Sequence, residues 1–128
     1  MESILVVDDE PQVRNVLKQL LEREGYEVSL ADNGTSGLEL FREQRPDLLI
    51  TDVLMPEKSG FQLIRACKRD EPELPVIAIT GGGGKYAPEL LGATAKDFGA
   101  DVCLVKPFTN NEVIAAVARL LSPGNSTK

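Results

Sequence analysis

Five short apolar runs, each followed by a stretch of helical periodicity, constrain this chain more than any other feature. The runs cover residues 3–7, 27–31, 48–51, 75–79 and 102–105. Segments of four or five such residues are too short for buried helices and suit strands. Helices are expected over about residues 11–24 and 35–44, from Ser59-Gly60 to the break at Asp70-Glu71-Pro72, from near Pro88 to Phe98, and after Thr109. Val13, Val16, Leu17, Leu20 and Leu21 follow the i, i+3, i+4, i+7, i+8 rhythm of one buried helix face. Gly25 and Pro46 stop the first two helices, and Thr109 with Glu112 has capping-box spacing.

The first, third, fourth and fifth runs are continuously apolar, as in a parallel sheet covered on both faces. The second alternates polar and apolar residues, as expected nearer a sheet edge. Right-handed crossovers then leave few topologies. The expected fold is α/β, a doubly wound five-stranded parallel sheet of order 2-1-3-4-5. At 128 residues the chain makes one domain, expected over residues 1–121, with a polar tail at 122–128.

This topology puts strands 1 and 3 side by side at the switch point, where such sheets place their chemistry. Asp8-Asp9 follows strand 1, Asp52 follows the third run, and Lys106 follows the fifth. Three carboxylates there repel one another, which argues for a bound divalent cation. Each residue also has an ordinary structural reading. Asp8-Asp9 suits a helix N-terminus, Asp52 a turn, Thr80 a strand end, and Lys106 a solvated surface. Their conjunction in order is what favours a site.

Composition removes several alternatives. There is no histidine, which excludes serine-triad chemistry and histidine-ligated zinc. The net charge is -6 with no basic cluster, against direct nucleic-acid binding. Cys67 and Cys103 lack metal-type spacing and read as reduced core residues. No apolar run reaches membrane-spanning length, and no apolar leader precedes the first strand, so a cytoplasmic location is expected.

With Asp8-Asp9, Asp52 followed by Met55-Pro56 and Gly60, Thr80, and Lys106-Pro107-Phe108 in this order, the chain resembles a response-regulator receiver domain. This is the CheY-like phosphoacceptor of two-component signalling, a flavodoxin-like three-layer sandwich. The resemblance implies that Asp52 accepts a phosphoryl group from a histidine kinase or histidine phosphotransfer protein. It implies Mg²⁺ as cofactor, held by Asp8, Asp9, Asp52 and the Leu54 backbone carbonyl. It gives Lys106 and Thr80 to the phosphoryl oxygens, and a cis bond before Pro107 that aims the lysine inward. It also implies a downstream protein partner, a monomer or a phosphorylation-linked dimer, and helix 1 as a kinase-docking face.

Two departures from the family pattern carry expectations. Cys103 stands where the family commonly has an aromatic, so activation is expected to run through Thr80 and the next loop. The stretch Gly81 to Tyr86 lengthens the loop after Thr80; it is expected to be mobile and to order on phosphorylation, with Gly81 leaving the pocket mouth open. It lacks the Gly-Lys-Ser/Thr ending of a nucleotide P-loop. Two alternatives stand beside the switch. One is a phosphate-independent interaction module. The other is a phosphatase of the haloacid-dehalogenase type, which wants an acid where Leu54 stands.

Overall fold

The computed structural model describes residues 1–55, 59–81 and 87–121. Its elements are β1 (Ser3–Val7), α1 (Pro11–Arg23), β2 (Glu27–Ala31), α2 (Gly34–Gln44), β3 (Leu48–Asp52), α3 (Gly60–Asp70), β4 (Val76–Thr80), α4 (Pro88–Phe98), β5 (Val102–Val105) and α5 (Asn110–Leu121). The predicted boundaries hold within one or two residues. The sheet is parallel throughout, in the order β2-β1-β3-β4-β5. Among the described residues no helix is long and apolar enough to cross a membrane.

Alternate strand residues feed two apolar layers, one on each side of the sheet. Leu5, Val7, Leu49, Val76 and Ala78 face α2, α3 and α4, meeting Phe41, Leu63, Ile64 and Leu91. Ile4, Val6, Ile50, Ile77 and Ile79 face α1 and α5, meeting Leu17, Leu21, Val113 and Val117. Burial of these side chains on both faces stabilises the central strands, at roughly 1.5–3 kcal/mol for each large apolar side chain.

Local signals start the helices. Asn33 accepts the Ser36 N–H at 2.8 Å to open α2. Thr109 and Glu112 exchange hydrogen bonds of 2.7 and 3.1 Å at α5, the reciprocal cap their spacing implies. Ser59 and Gln62 make a second such box at α3. Gly25, after α1, has φ +96°, a backbone state glycine adopts without steric cost.

Two expectations need correction. Val16 is 51% exposed and does not join the buried face of α1. That helix packs through Leu17, Leu20 and Leu21, with Val13 partly buried against the same layer, and Val16 lies off that face. Strand β5 is not covered on both faces either; Val102, Cys103 and Leu104 are half-buried and Val105 is 46% exposed. The cause is its place at the sheet edge, beyond which no strand follows. The predicted tail at 122–128 and loop residues 82–86 lie outside the described residues.

Candidate functional site

Register delivers the site. Val7 pairs with Thr51, and Asp52 pairs with Ile79. Asp8, Asp52 and Thr80 therefore stand at the C-terminal ends of three adjacent strands. Thr80 pairs with Val105, and the Lys106 N–H donates to the Thr80 carbonyl at 2.8 Å. That bond brings the lysine to the same edge, with Lys106-Pro107 in the cis form its motif implies.

Lys106 is the hub. Its Nζ lies 2.6 Å from Glu10 Oε1, 3.1 Å from Asp52 Oδ2 and 3.4 Å from Asp8 Oδ2. Burial tends to lower an amine's pKa, but the Glu10 hydrogen bond and the Asp52 and Asp8 charges outweigh it and hold the ammonium above the usual lysine value. Lys106 in turn lowers the Glu10 carboxyl.

Asp8 is fully buried. Its Oδ1 accepts the Glu10 N–H at 2.9 Å, and its carbonyl accepts Arg14 Nη1 at 2.7 Å. Its Oδ2 has the Lys106 ammonium 3.4 Å away but accepts no hydrogen bond from the described residues. Burial first, and the Asp52 charge with it, push the carboxyl up to about 6 against the opposing Glu10 N–H and Lys106. Asp52 is 6% exposed; its Oδ1 accepts the Leu54 N–H at 3.0 Å, and its Oδ2 accepts from Lys106. Thr80 is fully buried, and its hydroxyl has no hydrogen-bond partner among the described residues. A buried polar atom without a partner carries a real desolvation cost, so two at one strand edge mark a place built for something else.

Carboxylate oxygens of Asp8, Glu10 and Asp52 lie within 4.8 Å of one another. Three acids against one lysine leave excess negative charge over a bare oxygen. That donor set fits a hard divalent cation with oxygen ligands.

The structure thus gathers Asp8, Asp52, Thr80 and Lys106 as the sequence implies. Asp9 is exposed and stands outside the carboxylate trio. Leu54 is 43% exposed and engages Asp52 through its N–H. Gly81 lies at the rim, where an added Cβ would touch Lys106 Cδ at 3.8 Å, so this position has room for a side chain. Cys103 lies apart from the pocket; its thiol donates to the Gly92 carbonyl at 3.3 Å, and burial raises its pKa. Glu10 was not singled out as a site residue by sequence. Its only signal there is adjacency to Asp8-Asp9.

A cavity of about 660 Å³ lies beside Glu10 and Lys106, lined also by Val13, Val16 and Phe108 among others, while Asp8, Asp52 and Thr80 are not in its wall. Val16 is therefore exposed toward that cavity, between α1 and Phe108.

A 37% identical relative, the transcriptional regulatory protein CpxR of Escherichia coli, aligns over 94% of the chain and 50% of its own length. The probable transcriptional regulatory protein TcrX of Mycobacterium tuberculosis is 36% identical over 93% of the chain and 49% of its own length. The chain thus spans about half the length of these relatives. A response regulator receiver domain protein from Clostridium thermocellum superposes with a TM-score of 0.88 at 33% identity, covering 100% of both chains. The receiver domain of NtrX from Brucella abortus gives 0.86 at 31% identity, over 94% of this chain and 98% of its own. The family described as response regulator receiver domain matches residues 4–118, nearly all of the folded core, and the chain belongs to that family.

Proposed function

We propose that Asp52 is the phosphoacceptor of a two-component switch. A histidine kinase or histidine phosphotransfer protein supplies the phosphoryl group. The P–N bond of its phosphohistidine breaks as a P–O bond forms to an Asp52 carboxylate oxygen. The released imidazole takes up a proton. The observation that carries this reading is the pair of buried oxygens, Asp8 Oδ2 and Thr80 Oγ1, that have no hydrogen bond among the described residues, at the ends of the strands flanking Asp52.

The chain's own residues divide the work. Asp52 is held in place by the Leu54 N–H. Lys106 offers a point cation beside Asp52 Oδ2 to a developing phosphoryl charge. Thr80 offers a hydroxyl with no competing partner. Asp8, Asp52 and Asp9, with the Leu54 carbonyl, would hold Mg²⁺, and Glu10 stands close enough to add its charge. When bound, the ion neutralises phosphoryl-oxygen charge. Water later hydrolyses the aspartyl-phosphate, so catalysis is confined to the domain's own modification.

Output follows from the Lys106–Thr80 backbone bond, which ties the site to β5 and the adjoining face of α4 and α5. A downstream protein, or a second phosphorylated copy, reads that face. The half-length match to transcriptional regulators supports a role as their input half. The haloacid-dehalogenase alternative lacks its second acid, because Leu54 stands in that place.

Intact-protein mass after incubation with Mg²⁺ and acetyl phosphate tests the reading, with Asp52→Asn as control. A single phosphoryl adduct, lost in the variant and without Mg²⁺, is expected. No adduct on folded, Mg²⁺-binding protein would favour the phosphate-independent module.

A further inference from the structure

Lys106 has three N–H donors, and three carboxylates surround it. Its ammonium is hydrogen-bonded to Glu10 and Asp52, while Asp8 Oδ2, 3.4 Å away, accepts no hydrogen bond. A phosphoryl oxygen on Asp52 takes over the Asp52 contact with the ammonium and then competes with the Glu10 carboxylate for it. Asp8 and Asp52 are buried and fixed by the Glu10 and Leu54 N–H groups respectively. The Glu10 side chain is 59% exposed and makes the shortest contact, 2.6 Å. Glu10 is also the N-cap of α1, yet its carboxylate makes no capping bond and reaches across to the lysine. Its backbone N–H, donated to Asp8 Oδ1, holds it at this rim.

We propose that Glu10 is a displaceable counter-ion of Lys106, a positioning residue that holds the ammonium in the unphosphorylated pocket and yields it to the phosphoryl group. This rests on Asp52 being the phosphoacceptor. Glu10 swings into solvent as the phosphoryl oxygens arrive, so its contact with Lys106 opposes the modified state. The residue sets how readily the switch turns on, without touching the reacting atoms.

Two readouts on the intact chain test this, each comparing wild type with Glu10→Gln. The first is the hydrogen-exchange rate of the Lys106 ammonium by ¹⁵N NMR in metal-free protein, with Lys18 as internal reference. Exchange is expected to quicken several-fold in the variant. The second is the affinity for beryllofluoride, an acyl-phosphate mimic, at saturating Mg²⁺. Binding is expected to tighten by roughly fivefold, the scale of one charge-assisted hydrogen bond at a partly exposed site. Unchanged ammonium exchange, or unchanged or weaker beryllofluoride binding in the variant, overturns the proposal alone. Wild-type protein that takes no beryllofluoride overturns the phosphoacceptor reading, and this proposal with it.

Discussion

The α-carbon of Gly60 lies against the backbone of Asp52, so that a Cβ built on it would sit 1.9 Å from the Asp52 carbonyl oxygen and 2.6 Å from Val53 Cα. No flexible side chain can give way there. The Gly60 N–H also donates to the Val53 carbonyl at 3.0 Å, closing the start of α3 onto the end of β3. The strand that carries Asp52 and the helix after it are thus joined through a contact that tolerates no side chain.

Gly60→Ala is accordingly expected to cost at least about 2 kcal/mol, because backbone must move to admit the methyl group. It should also slow phosphorylation by acetyl phosphate, since Asp52 moves with its carbonyl. Urea unfolding and adduct mass measure the two effects. A variant within 0.5 kcal/mol of wild type, on the scale of an ordinary surface change, would refute the contact.

Asp8 gives a pH dependence of definite sign. Its carboxyl moves from 3.8 to about 6 on folding, through burial above all. Between those values the folded chain keeps a proton that the unfolded chain has lost. Stability of the metal-free protein therefore falls as pH rises through that window and stays lower above it. The full shift corresponds to about 3 kcal/mol. Asp8→Asn, which keeps an acceptor for the Glu10 N–H, should raise metal-free stability at pH 7.5 by about 1–3 kcal/mol. The gain should shrink toward pH 4, and added Mg²⁺ should stabilise the wild type more than the variant. An equal effect of the substitution at both pH values would show that the charge is not the cause.

Thr80 tests the other unpartnered atom. Thr80→Val replaces a buried hydroxyl that has no partner among the described residues with a methyl group of similar shape. Metal-free stability should rise by about 1 kcal/mol, because an uncompensated desolvation cost is removed. The steady-state phosphorylated fraction at fixed acetyl phosphate should fall several-fold, because the phosphoryl group loses a donor. A stability loss without any change in phosphorylation would mean that the hydroxyl serves the fold.

How much of this is legible in the sequence depends on the range of the interaction. Helix starts at Asn33 and Thr109 are local, encoded within three residues, and the strand order follows from continuous apolar runs. The convergence of Asp8, Asp52, Thr80 and Lys106 follows from that order, because all four stand at or just beyond strand ends. Val16 and β5 are different. Their exposure depends on which neighbour covers them, and apolar spacing is the same for a residue under a helix and one at a cavity mouth. Ser59 and Gln62 carried a capping signal as plain as that of Thr109. Glu10 had none; its role arises from Lys106, 96 residues away in sequence and 2.6 Å away in space.

The receiver-domain pattern leads one to expect an aromatic at position 103, and the structure shows what surrounds the cysteine that stands there. Its thiol donates to the Gly92 carbonyl at 3.3 Å, and a Cβ on Gly92 would meet Cys103 Sγ at 3.8 Å, so α4 and β5 approach closely here. Beside them runs a groove of about 490 Å³ lined by Glu89, Gly92, Ala93, Lys96, Cys103 and Val105. A ring at position 103 has that groove to enter, with its hydroxyl toward solvent. Cys103→Tyr should therefore change stability by less than about 1.5 kcal/mol, in contrast to a large residue forced into a closed core. Phosphorylation should be unaffected, since Cys103 makes no contact with Asp52, Lys106 or Asp8. Urea unfolding and the acetyl phosphate assay decide the matter. A loss above about 3 kcal/mol would mean the groove closes around the thiol in solution. A change in phosphorylation would mean that β5 transmits packing at residue 103 back to the pocket through the Lys106–Thr80 bond.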